Sequence, residues 1–126
     1  MSAIFNHTII AAADPAESAQ FYVDILEVEH TQSWGLFSNI MLDDGVMLQF
    51  ASPPPTVDIQ PVHMAFICTD DHFDRAVALF DERGLDYWAD PQRKRLHETN
   101  TEHDGRGVYF LDPSGMYLEL ITKPYL

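Results

Sequence analysis

Residues 107–122 read GVYFLDPSGMYLELIT, the outline of a β-hairpin. An apolar arm runs to Leu111, Asp112-Pro113-Ser114-Gly115 makes the turn, and a second arm starts at Met116. Proline presets the φ of a turn position and glycine accepts a positive one, so the four residues have a mechanical reason to reverse the chain. Side chains alternate along a strand, which puts Met116, Leu118 and Leu120 on one face and Tyr117, Glu119 and Ile121 on the other. Glu119 therefore has apolar neighbours. An ionised carboxylate there is costly unless it is paired, hydrogen-bonded or bound to a metal, the ordinary alternative being an edge strand that faces water.

The stretch has a second copy. Asp44-Gly45-Val46-Met47-Leu48-Gln49-Phe50 repeats Ser114-Gly115-Met116-Tyr117-Leu118-Glu119-Leu120 at an offset of 70 residues (49 to 119). Phe5-Asn6-His7-Thr8-Ile9-Ile10 matches Pro61-Val62-His63-Met64-Ala65-Phe66 at an offset of 56 (7 to 63). The chain is thus one module written twice, the second copy carrying about fourteen extra residues. Both copies place a polar potential ligand at the same two positions: His7 and Gln49, then His63 and Glu119.

Working outward, Ile4 to Ala12 alternates as a strand, and Asp14-Pro15-Ala16-Glu17 starts a helix with Asp as cap and Pro at the first helical position. Phe21, Tyr22, Ile25 and Leu26 give that helix its core stripe. Strands are expected at about 28–34, 36–42 and 45–51. After the proline-rich stretch, Val62 to Thr69 repeats the first strand, and Asp70 or Asp71 caps a second helix with the stripe Phe73, Ala76, Val77 and Phe80, ended by Gly84. A strand over 86–89 precedes a polar, aperiodic loop from Asp90 to Gly105, which accounts for the extra length of the second module and has the size of a lid or binding element. The expected class is α+β: one domain over 1–126, made of module one at 1–52, a linker at 53–61 and module two at 62–126. Each module reads βαβββ. A curved, cup-like mixed sheet with helices outside would leave the ligand positions pointing inward.

Composition narrows the function. Hydrophobic residues at 46% and aromatic residues at 12% belong to a folded chain. A formal net charge of −13 argues against nucleic acid and anionic membranes as partners. No apolar run approaches a membrane span, no signal peptide opens the chain, and one cysteine cannot staple it, so a cytoplasmic location is expected. Arg93, Lys94, Arg95 and Arg106 form a local basic exception, read either as a solvated loop or as a binding element.

These residues together resemble the vicinal oxygen chelate superfamily, which holds glyoxalase I, bleomycin- and fosfomycin-resistance proteins and extradiol dioxygenases. The resemblance covers essentially the whole chain. It is carried by Asn6-His7-Thr8, by Asp14-Pro15 ahead of Phe21-Tyr22, by His63, and by Phe110-Leu111-Asp112-Pro113-Ser114-Gly115 leading into Glu119. It implies paired βαβββ modules, a homodimer, and one divalent metal ion per chain (Fe, Ni, Zn, Mn or Co). By position, His7, His63 and Glu119 look like the family's two-histidine, one-carboxylate ligands, and Gln49 lies where glyoxalase I has a further one. The first helix ends Leu26-Glu27-Val28 where many members have Leu-Gly, which bears on the shape of that connection.

Two imidazoles and a carboxylate bind a borderline divalent metal with positions left open, which suits ferrous oxygenases and Lewis-acid enzymes alike. The expected function is a metal-dependent enzyme acting on a small oxygen-chelating substrate, with a lean towards extradiol-type dioxygenation. The alternatives are a glyoxalase-type lyase or isomerase and a bleomycin-resistance-like protein that sequesters a drug. Tyr109, ten residues before Glu119 on the partner arm, resembles the active-site tyrosine of the dioxygenases, and His103 stands near the start of their histidine-to-tyrosine segment. Glu119, Tyr109 and His103 are thus the candidate catalytic residues; Trp34, Trp88, Arg106 and His97 are candidates for contacting substrate.

Overall fold

In the computed structural model, which describes residues 1–126, the repeat becomes two βαβββ units, Met1–Gln60 and Pro61–Leu126. In the first, β1 (His7–Ala11) leads into α1 (Pro15–Leu26), then β2 (Glu29–His30), β3 (Ser38–Met41) and β4 (Met47–Ala51). These strands form a four-stranded mixed sheet in the order β1-β4-β3-β2, with β1 parallel to β4. The second unit repeats the pattern with β5 (His63–Ile67), α2 (Asp70–Arg83), β6 (Tyr87–Trp88), β7 (Gly107–Leu111) and β8 (Tyr117–Ile121), in the order β5-β8-β7-β6.

The registers coincide. His7 lies opposite Met47 and Ile9 opposite Gln49, just as His63 lies opposite Tyr117 and Ala65 opposite Glu119. The turns coincide as well. Asp112 N–H donates to Met116 C=O and Gly115 N–H to Asp112 C=O, at 3.1 Å each, while Leu42 N–H donates to Val46 C=O at 2.8 Å and Gly45 N–H to Leu42 C=O at 2.9 Å. Gly115 at φ +92° and Gly45 at φ +87° supply the positive φ that both turns need. Asp112 is buried, and its Oδ1 accepts from the N–H groups of Ser114 and Met116 at 2.8 and 2.9 Å.

Each sheet has one face under its helix. In the first unit the Tyr22 ring of α1 lies 4.7 Å from Phe50, and Ile10, Ile25, Ile40 and Leu48 are buried. In the second, the Phe80 ring of α2 lies 4.8 Å from Phe110 and 5.6 Å from Tyr87, with Phe73, Val108, Leu118 and Leu120 buried. The opposite face of each sheet is open: Ile9 is 58% exposed and Ile67 59%.

Several boundaries differ from the sequence reading. The strands expected at 28–34 and 36–42 shrink to Glu29–His30 and Ser38–Met41. A turn closed by Phe37 N–H donating to Trp34 C=O takes the residues between them out of the ladder. The strand expected at 86–89 pairs only at Tyr87 and Trp88. Asp14 caps α1 as read, its side chain accepting from Glu17 N–H. On α2 the cap is Thr69, not Asp70 or Asp71: its hydroxyl accepts from His72 N–H at 3.1 Å. This puts both aspartates in the first turn, where the helix dipole favours their charge. Glu27 takes the left-handed conformation (φ 55°, ψ 45°) at the end of α1. The connection therefore keeps the shape that glycine usually provides, at some cost in backbone strain.

Candidate active site

The open face of the second sheet follows from its register. Tyr109 lies opposite Glu119, Trp88 opposite Tyr109 and His63 opposite Tyr117, so Trp88, Tyr109, Glu119, Tyr117 and His63 share that face. Most of its residues are half-buried or exposed, yet Glu119 is only 2% exposed. Its carboxylate is covered from above. His63 Nε2 lies 3.1 Å from Oε1, and the Tyr125 hydroxyl donates to Oε2 at 2.5 Å. The Tyr109 and Tyr125 hydroxyls are 3.5 Å apart. Tyr125 has one proton and gives it to Glu119, so Tyr109 is the donor between the two phenols. Tyr109 also stacks on His63, with ring centroids 6.2 Å apart.

Both phenols are held neutral. Burial pushes the Tyr109 hydroxyl far above its ordinary value, with the Tyr125 hydrogen bond and the Glu119 charge adding to the effect. Burial and the hydrogen bond to Glu119 raise Tyr125 in the same direction. The pair therefore stays as phenols, with Tyr125 committed to Glu119 and Tyr109 in a long 3.5 Å contact with Tyr125.

The histidines carry the more informative geometry. His63 Nδ1 lies 3.1 Å from the Tyr117 carbonyl and its Nε2 faces a carboxylate, so both ring nitrogens point at acceptors. A neutral imidazole has one N–H and satisfies only one of them. Three arrangements remove the clash of lone pairs: an imidazolium, a protonated Glu119 carboxyl, or a cation between Nε2 and Oε1. Imidazole nitrogen and carboxylate oxygen are both donor types that divalent metals take. In the first unit His7 Nδ1 lies 2.6 Å from Asn6 Oδ1, so this ring too gives its Nδ1–H to an oxygen acceptor and leaves the Nε2 lone pair free. An outer hydrogen bond of this kind is how metal-binding histidines are oriented. His63 Nε2 and Glu119 Oε1 are a donor pair whose chemistry fits a divalent metal.

Gln49 is buried opposite Asn39, the positions that Glu119 and Tyr109 hold in the second unit. The first unit thus presents a neutral amide where the second presents a carboxylate, and Asn39 Oδ1 is buried without a hydrogen-bond partner. Within either unit no three His, Cys, Asp or Glu side chains gather into a metal-binding group; the pair brought together is His63 and Glu119.

The remaining candidates are placed as follows. His103, at φ +55°, stacks on Tyr125 with centroids 4.0 Å apart. Trp88 lies beside Tyr109, and the Arg93 guanidinium sits 5.8 Å from its ring and 5.1 Å from that of Tyr117. Arg106 is committed to α2, reaching Asp74 at 2.7 Å and Asp70 at 3.6 Å and covering the Phe73 ring at 4.4 Å. His97 pairs with Asp86 at 3.1 Å and lies against Tyr87, on the helix side of the sheet. Trp34 is half exposed in the first unit, near Phe37. Sequence reasoning missed Tyr125. It lies beyond the last strand, where alternation no longer assigns a face, and nothing else in the tail marks it.

The comparisons agree with this architecture. The model of the Glyoxalase/Bleomycin resistance protein/Dioxygenase superfamily matches residues 4–120, and the chain belongs to that superfamily. Among solved structures it is similar to the oxidase ChaP-H2, at 42% identity, 99% coverage of this chain, 97% of the other and a TM-score of 0.93. The oxidase ChaP-H1 matches at 41% identity, 98% coverage of each chain and a TM-score of 0.91. A glyoxalase/dioxygenase from Nostoc punctiforme matches at 25% identity, covering 96% of this chain and 91% of the other, with a TM-score of 0.73. No helix is long and apolar enough to cross a membrane.

Proposed function

We propose that this chain is a divalent-metal-dependent enzyme that uses O₂ on a small aromatic substrate bearing adjacent oxygens. His7, His63 and Glu119 are the metal ligands and Gln49 is a weaker fourth donor. The observation that carries this reading is His63, whose Nδ1 is taken by a carbonyl while its Nε2 faces Glu119. When bound, the metal supplies Lewis acidity and open positions for oxygen donors. The chain's own residues do the rest. The Tyr109 hydroxyl, in only a long 3.5 Å contact with that of Tyr125, turns its proton to a substrate oxygen, and Trp88 and Tyr117 offer aromatic surface to a flat ring. The O₂-dependent branch is supported by the similarity to two proteins named as oxidases and by Gln49, which donates more weakly than the carboxylate of a four-ligand isomerase.

The test is an oxygen electrode with Fe(II)-loaded protein, a panel of catechols, and hemithioacetals of 2-oxoaldehydes assayed alongside. O₂ uptake with a catechol is expected. Tyr109→Phe should slow it roughly tenfold with metal content unchanged, the loss of one hydrogen bond of about 1–1.5 kcal/mol. Isomerisation of a hemithioacetal without O₂ uptake would move the assignment to the glyoxalase branch.

We also propose a homodimer, supported by the exposure of Ile9 and Ile67 on the open sheet faces. Light scattering at micromolar concentration is expected to give twice the chain mass; a monomer mass would remove the proposal.

A further inference from the structure

We propose that Tyr125, in the tail beyond β8, is a positioning residue of this site. It holds Oε2 of Glu119 so that only Oε1 is presented beside His63 Nε2. The inference rests on the metal reading above and deepens it. Glu119 has two oxygens with separate partners, His63 on Oε1 and Tyr125 on Oε2. A carboxylate free at both oxygens can bind a cation through either or both; one whose second oxygen accepts a 2.5 Å hydrogen bond is oriented and limited to the other. Single-oxygen ligation keeps a coordination position free for substrate.

The tail is built to deliver this hydroxyl. Thr122 N–H donates to the Arg106 carbonyl at 3.0 Å, and Arg106 N–H donates to Thr122 Oγ1 at 2.8 Å. Gly105 lets the two segments meet: a Cβ there would come within 2.6 Å of Lys123 Cγ and 2.8 Å of Thr122 Oγ1. The His103 ring lies on the Tyr125 ring at an interplanar angle of 22°. Tyr125 as a residue is 48% exposed while the carboxylate it reaches is 2% exposed, so its ring is the cover and its hydroxyl the contact. His103 thereby acts through Tyr125, with no contact to Glu119 of its own.

Metal-free protein titrated with Co(II), followed by calorimetry and visible absorption, tests this. Tyr125→Phe keeps the ring and its stacking but removes the donor. It is expected to weaken Co(II) binding about tenfold, the usual scale for losing an outer hydrogen bond to a ligand, and to change the visible spectrum as Oε2 becomes free to coordinate. Gly105→Ala, which displaces the tail without touching Glu119 or Tyr125, is expected to shift both readouts in the same direction. Wild-type affinity and spectrum in Tyr125→Phe would overturn the inference and leave the metal reading standing. Wild-type protein that takes up no Co(II) would overturn both.

Discussion

Replacing Glu119 by Ala is expected to lower divalent-metal affinity by more than about 100-fold, beyond the 10–100-fold typical of losing an outer-shell partner. Elemental analysis of purified protein should then fall from one metal per chain to a small fraction of that. The size of the effect follows from charge. Glu119 is the one anionic donor of the proposed set, and removing it leaves imidazoles and an amide to hold a dication. His7→Ala and His63→Ala should act in the same direction, and Gln49→Ala less. Glu119→Gln separates charge from shape, since the amide can still accept from Tyr125 but no longer neutralises a cation, so its metal content should fall almost as far as in the alanine variant. Folding stability should move little, by about 1 kcal/mol or less, because His63 is half exposed and keeps the Tyr117 carbonyl, and Tyr125, also half exposed, keeps Tyr109. Full metal stoichiometry in both Glu119 variants would end the metal assignment.

How much of this could be read in advance depends on whether a position is governed by a local rule. The repeat was legible because identical backbone work leaves like residues: Gly45 and Gly115 both serve a turn needing φ > 0, and the strands on either side inherit their phase. That phase put Tyr109 on the arm opposite Glu119, as the register has it; the parallel pairing of β5 with β8, which brings His63 within 3.1 Å of Glu119, was not in the phase. The helix caps were half legible. Thr69, Asp70 and Asp71 are all competent caps, and only the backbone at Thr69 (φ −75°, ψ 163°) decides between them. The loop from Asp90 to Gly105 was least legible, since its side chains answer to tertiary partners. Asn100 is buried because its amide donates to the Ala89 carbonyl at 2.7 Å, and Arg106 is drawn to two aspartates on α2. Tyr125 belongs with these. Its role exists only where tail, hairpin and Glu119 are already folded together.

The sheet's two faces divide the work, and a substitution on the helix side is expected to show it. Phe80→Ala should destabilise the protein by about 3–5 kcal/mol, measured by urea unfolding. Phe80 is fully buried and packs on Phe110 and Tyr87, from the two strands β7 and β6. Its removal leaves a void between α2 and the sheet that neither backbone can close. A domain of this size has roughly 5–15 kcal/mol in hand, so the variant should unfold at far lower urea, with the slope of the transition unchanged if the denatured state is the same. Tyr109→Phe, on the opposite face of β7, should leave the unfolding midpoint within about 0.5 kcal/mol of the parent while slowing turnover. Phe80→Ala that is still folded should keep its metal, because none of the proposed ligands touches Phe80. A loss under about 1 kcal/mol would mean that α2 is not held through Phe80. A folded Phe80→Ala protein without metal would mean that the helix side and the open face are coupled and do not act as separate layers.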